Sequence, residues 1–214
     1  DKQYEERMGM VGMGVAQAKA EGSPVIYSDM QQGFVRRTTN VVIALGMQVT
    51  MEAIQDCLYD QIFDKTKQLS RSMYLAKQIL AANIFNLGYS SSQTYLDGQP
   101  LFSDAHPLVS GGTNANTPST QVDLNETSLE AAVIQIAAWT DERGLLIAAK
   151  PRKLVVPPSL MFVATRLLET ELRVGTNNND INPVKSMGVL ETDPAVLSRL
   201  TSPTAWWVST NAPE

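Results

Sequence analysis

Val41, Ile43, Leu45, Met47 and Val49 alternate with Val42, Ala44, Gly46 and Gln48, and this two-residue period is the strongest strand signal in the chain. Val25-Ile26-Tyr27 upstream reads as a shorter strand, and Gln31-Gln32-Gly33 between them supplies turn chemistry, so residues 25–49 are expected to form a long β-hairpin. A two-stranded hairpin is marginal in water, so its apolar face should lie on core or on another subunit. The period then changes. Thr50 offers an N-cap and Glu52 an acidic first turn, and Ile54, Leu58, Ile62, Leu69, Met73, Ala76, Leu80, Ile84 and Leu87 follow at helical spacings up to Gly88. Lys65-Thr66-Lys67-Gln68 leaves that stripe empty for a turn, which predicts two helices or one bent one.

Residues 88–126 have no period and are rich in Ser, Gly, Asn, Thr and Pro, a long loop of the kind that often carries function. Thr127-Ser128-Leu129-Glu130 reads as a capping box opening a helix that Arg143-Gly144 closes. Lys153–Val156 is a buried strand, and Pro157-Pro158 stops it and starts a helix faced by Leu160, Val163, Ala164, Leu167 and Leu168. Val184–Leu190 and Ala205–Val208 are further strand candidates, and Trp206-Trp207 should place one ring in the core and leave the other able to serve an interface. At the other end, Arg7–Gly14 sets Met and Val among glycines, so residues 1–24 read as an arm that either docks on a neighbour or frays. The order of elements predicts an α+β fold.

Composition narrows the chemistry. The 214 residues carry 17 Lys and Arg against 22 Asp and Glu, a net charge of −5, with no basic run to bind nucleic acid. A single Cys (Cys57) and a single His (His106) exclude a disulfide framework, a Cys-based zinc cluster and a multi-His metal site. No apolar run is long enough for a membrane helix and no secretory signal opens the chain, so a soluble, intracellular protein is expected. The start without Met and the stop soon after Trp207 suggest a processed or partial chain. Asp104 and His106 are the one acid–His pair close in sequence, and a hydrolase would need His106 as base with Ser103 or Cys57 as nucleophile. No nucleophile elbow or oxyanion motif accompanies them, and a local turn before Pro107 explains both. No catalytic, cofactor-binding or metal site is expected.

One ordered set of segments carries a resemblance. Glu21-Gly22 and a hairpin with Gln32-Gly33-Phe34 come first, then Leu45-Gly-Met-Gln-Val-Thr-Met-Glu52 and Asp56-Cys-Leu-Tyr59. Asp97-Gly-Gln-Pro-Leu-Phe-Ser-Asp-Ala-His-Pro107, Asp141-Glu-Arg-Gly144, Pro151–Pro158 and Asn182-Pro183 follow. From about Glu21 to Val208 the chain resembles the major capsid (major head) proteins of tailed bacteriophages, close to the Mu-like prophage head-subunit group. The resemblance implies the Hong Kong phage capsid fold: an N-terminal arm (1–24), an extended β-hairpin loop (25–50) lying over an adjacent subunit, a peripheral domain (51–147) with its spine helix at about 127–143, and an axial domain (148–214). It implies further sheet beyond Trp207, so the chain is expected to fall short of the family's full length. No Lys–Asn–carboxylate trio matches the cross-linking members, and assembly is expected to be non-covalent.

A shell subunit of this kind would associate with itself as hexamers and pentamers, with scaffolding, decoration and portal proteins as further partners, and would enclose double-stranded DNA without reading its sequence. It would belong to the virion and assemble in the host bacterial cytoplasm. The residues expected at subunit contacts are Met8, Met10 and Met13 of the arm, Arg36 and Arg37 of the hairpin, and Asn177, Asn178 and Asn179 of the loop 176–180. An encapsulin-like nanocompartment shell is the alternative on the same fold.

Overall fold

The computed structural model describes residues 3–56, 58–173 and 180–212. Cys57 and the Asn177, Asn178 and Asn179 contact candidates lie outside the described residues. Strands β1 (Tyr4–Met10) and β2 (Gln32–Thr39) form an antiparallel pair. Helices α1 (Met51–Gln55) and α2 (Tyr59–Asn86) follow, then a short pair, β3 (His106–Pro107) and β4 (Thr113–Asn114), inside the long loop. Helix α3 (Glu126–Ala137), strand β5 (Pro151–Val156), helices α4 (Met161–Glu169) and α5 (Pro183–Ser186), and strands β6 (Ala195–Val196) and β7 (Trp207–Thr210) complete an α+β chain.

The core sits in the second half. β5 is the middle strand of a three-stranded sheet, parallel to β6 and antiparallel to β7. Leu154 and Val156 alternate onto one face and meet Leu129 of α3, Ala164 and Leu168 of α4, Val184 of α5 and Leu190. The expected face of α4 holds: Leu160, Val163 and Leu167 pack on the same cluster, and the Pro157-Pro158 stop becomes a 3₁₀ turn, Pro158–Leu160, leading into the helix. At the sheet margin the hydrogen bond from Arg152 (3.0 Å), reinforced by Lys153, holds the Glu191 carboxyl below the usual carboxylate range. Its contribution is therefore present above that range and fades as pH falls through the lowered value.

The opposite side of β7 carries a second apolar group. Trp207 is buried against Phe85 (5.2 Å between ring centroids) and Phe102 (6.3 Å), and Tyr89 lies 5.1 Å from Phe102. Burial there pushes the Tyr89 hydroxyl above its ordinary range. Trp207 is thus the core ring of the pair, while Trp206 packs half-buried on the main core and donates to the Val122 carbonyl. Gly88 makes the group possible: a Cβ there would meet the Phe102 ring at 2.5 Å and the Ile84 carbonyl oxygen at 2.9 Å. Gly88→Ala should accordingly cost about 1–3 kcal/mol through forced ring displacement, read as a lower thermal midpoint. An unshifted midpoint would show that the ring moves freely.

Several expectations are corrected. Residues 41–49 are not a strand, and Val25-Ile26-Tyr27 is not one either; the hairpin pairs part of the expected arm, Tyr4–Met10, with Gln32–Thr39. The gap at Lys65–Gln68 does not break the helix, because α2 is exposed on all sides there and needs no apolar stripe. The helix expected at 127–143 spans Glu126–Ala137, capped two residues earlier by a box between Asn125 and Ser128. Arg143-Gly144 belongs instead to a turn closed by Asp141, whose Oδ1 accepts from the backbone N–H groups of Arg143 and Leu145. Within Val184–Leu190, the opening residues form α5, capped by Asn182, and not a strand.

Candidate assembly surfaces

The hairpin is a lone two-stranded ribbon whose side chains are mostly exposed. Its alternation sorts Tyr4, Glu6, Met8, Val35 and Arg37 to one face and Glu5, Arg7, Phe34 and Arg36 to the other. The first face sets Tyr4, Met8 and Val35 among Glu6, Arg37 and Thr39, and its charges are neutralised internally: Arg37 lies 2.6 Å from Glu6 and 4.4 Å over the Tyr4 ring. Arg37 is therefore committed within its own chain. On the other face Arg36 stands opposite Arg7, whose guanidinium Glu5 meets at 3.2 Å, so this like-charge pair is partly neutralised within the ribbon. Met8 and Met10 are exposed on β1, and Met13 is exposed in the connection 11–31. That connection returns toward the body, where the Asp29 carbonyl accepts from Arg143 Nη2.

Helix α2 spans about 42 Å at 1.5 Å per residue, and it is anchored mainly at its C-terminal end, with the Thr66 hydroxyl donating to the Met47 thioether at 4.0 Å nearer the other end. Ala82 is its one buried residue among those described, and Asn86 ties the end down by donating to the Arg199 carbonyl and accepting from the Thr201 N–H and hydroxyl. Between Tyr59 and Arg71 only Ile62 and Leu69 are even half-buried. Tyr59 (50% exposed), Phe63 (64%) and Tyr74 (63%) fall on one side of this projecting rod beside the Ile62–Leu69–Met73 stripe. None of these aromatic residues was legible as a contact in sequence; aromatic positions flanking a stripe that the core does not use were the available signal.

The long loop holds the remaining candidate chemistry. His106 does not pair with Asp104, which is exposed; its Nδ1 meets Asp97 Oδ2 at 2.5 Å, and Asp97 Oδ1 accepts from the Gln99 N–H. His106 Nε2 is buried with no partner. Ser103 is spent on the turn, its hydroxyl accepting from the Ala105 N–H. The arrangement latches the loop across nine residues of sequence. His106→Ala is expected to cost about 1–3 kcal/mol by leaving Asp97 short of a charge-assisted bond, with faster amide exchange across 95–107. Unchanged exchange over that loop would contradict the latch. A groove of about 530 Å³ between α3 and α4 is bridged by Glu126 and Arg173 at 2.6 Å, and no set of three or more metal-ligating side chains occurs among the described residues. No helix among them is long and apolar enough to cross a membrane.

A small core bearing a ribbon and a rod whose side chains stay largely exposed among the described residues is the outline of a structural subunit. The particular family is given by sequence: residues 36–213 match the phage capsid protein family, and the chain belongs to it. The match begins within β2 and runs through the whole core. That family is structural, a component of the virion whose members associate into a shell. No curated protein and no solved structure matches the chain.

Proposed function

We propose that the chain is a major-head subunit with the Hong Kong phage capsid architecture, of the Mu-like group, and that its copies close as hexamers and pentamers into an icosahedral head around double-stranded DNA. The observation that carries this reading is surface. The chain exposes 15651 Å², whereas a compact monomer of its 23.4 kDa mass would expose about 9,700 Å². The excess of several thousand Å² exceeds one standard interface of about 1,600 Å² and fits a subunit contacted on several sides.

The parts take their roles from shape. The β1–β2 ribbon serves as the extended loop that laps an adjacent subunit, offering its Tyr4–Met8–Val35 face. The spine role passes from 127–143 to α2, the one long helix, with 28 residues. Residues from about 148 onward form the axial domain, and Asn177, Asn178 and Asn179 are contacts of that domain. Contacts repeated under symmetry make modest pairwise interfaces strong in sum, so no covalent cross-link is required. The net charge of −5 suits a wall that confines DNA without adhering to it. Assembly takes place in the host cytoplasm, with scaffolding, decoration and portal proteins as further partners.

Nuclease treatment of particles recovered from phage-producing cells tests the DNA claim. Protected double-stranded DNA that is released on disrupting the particles is expected; particles holding protein cargo and no nucleic acid would overturn it.

A further inference from the structure

The strongest strand pattern in the sequence lies outside every strand of the folded subunit. Residues 41–49 run without regular structure between β2 and α1, and their backbone makes no hydrogen bond among the described residues. Val41 is 73% exposed, Val42 90% and Leu45 56%. Ile43 and Val49 are half-buried and the Met47 thioether accepts from the Thr66 hydroxyl of α2 at 4.0 Å, so the segment's side chains touch its own chain at the C-terminal end but its backbone stays unpaired among the described residues. A β-branched, apolar segment with unspent N–H and C=O groups is matched to a ladder that its own chain does not supply.

We propose that residues 41–49 of one copy add as a third strand to the open edge of the β1–β2 hairpin of a second copy. This rests on the shell-subunit reading and specifies one contact of that shell. Four features select the occupant. The hairpin has two open edges, and a two-stranded ribbon that is marginal alone becomes a stable sheet with a third strand and an apolar face. The segment spans about 30 Å when extended, enough to run the length of either hairpin strand. Its odd-numbered side chains, Val41, Ile43, Leu45 and Met47, would continue the Tyr4–Met8–Val35 face, while its lack of charge avoids repulsion by Arg7, Arg36 and Arg37. Finally, its own hairpin is the wrong acceptor. Reversal onto β2 requires a tight turn at Asn40-Val41, and Val resists the positive φ that two-residue turns demand.

Hydrogen exchange on the full chain, comparing assembled particles with dissociated subunits, tests this. Amides of 41–49 should slow at least about tenfold on assembly, together with outward amides of β1 or β2. Leu45→Pro removes one donor that is unused in the subunit, so the free chain should keep its melting behaviour while the concentration needed for assembly rises at least about tenfold; Leu45→Val should assemble normally. Particles whose 41–49 amides exchange as fast as in free subunits, or Leu45→Pro chains assembling at the parent concentration, would overturn strand addition alone. A chain that never assembles would overturn the shell reading, and this inference with it.

Discussion

The Leu154→Ala subunit is expected to melt on the order of 10 °C below the parent chain. Leu154 is fully buried at the centre of β5, and it meets side chains contributed by α3, α4 and α5. Truncation removes the transfer energy of the lost methyl groups and leaves a cavity, together about 2–5 kcal/mol. In a chain of this length each kcal/mol lowers the midpoint by about 2–4 °C. The loss should be felt nearly in full because the ribbon and most of α2 bury little within the subunit. Thermal unfolding of the dissociated subunit followed by circular dichroism measures it. A fall of less than about 2 °C would mean that the sheet and its helices do not form the stabilising core.

Tyr59→Glu combined with Phe63→Glu should do the opposite: leave the subunit's melting within about 0.5 kcal/mol of the parent and abolish assembly. Both rings are exposed on a stretch of helix that touches little of its own chain, so their replacement costs the monomer little. In the shell, each is expected to be buried under a neighbour. Losing such a contact forfeits about 1.5–3 kcal/mol per ring, and burying an unpaired carboxylate adds more. Each 1.4 kcal/mol is about tenfold in association, repeated at every symmetry-related contact. Sedimentation velocity on the matched proteins reads both arms. Normal assembly of the double variant would remove α2 from the interface.

What was legible in sequence divides by the range of the interactions involved. The Leu154–Val156 run, the Pro157-Pro158 break, the apolar face of α4 and the Thr50 cap, whose hydroxyl accepts from the Ala53 N–H, all depend on neighbours a few residues away. Pairings set by distant partners were not legible. Met8 and Met10 sit in a Gly-rich stretch that reads as a loose arm, and only the antiparallel approach of Gln32–Thr39 makes it a strand, with a bulge where Gly9 and Gly33 pass closely. The His106 partner is Asp97, nine residues away across a turn, while Asp104 two residues away is exposed. Residues 41–49 show the converse case, in which local propensity is strong yet their backbone finds no hydrogen bond among the described residues. Among the proposed contact residues, Met8, Met10 and Met13 are exposed, whereas Arg37 is held by Glu6 and Tyr4.

Electron microscopy of the purified full-length chain, with particle sizing across ionic strength and with or without scaffolding protein, tests the shell role most directly. Closed particles of uniform diameter, with hexameric and pentameric clusters on their surface, are the expected result. A stable monomer under every one of those conditions would contradict it.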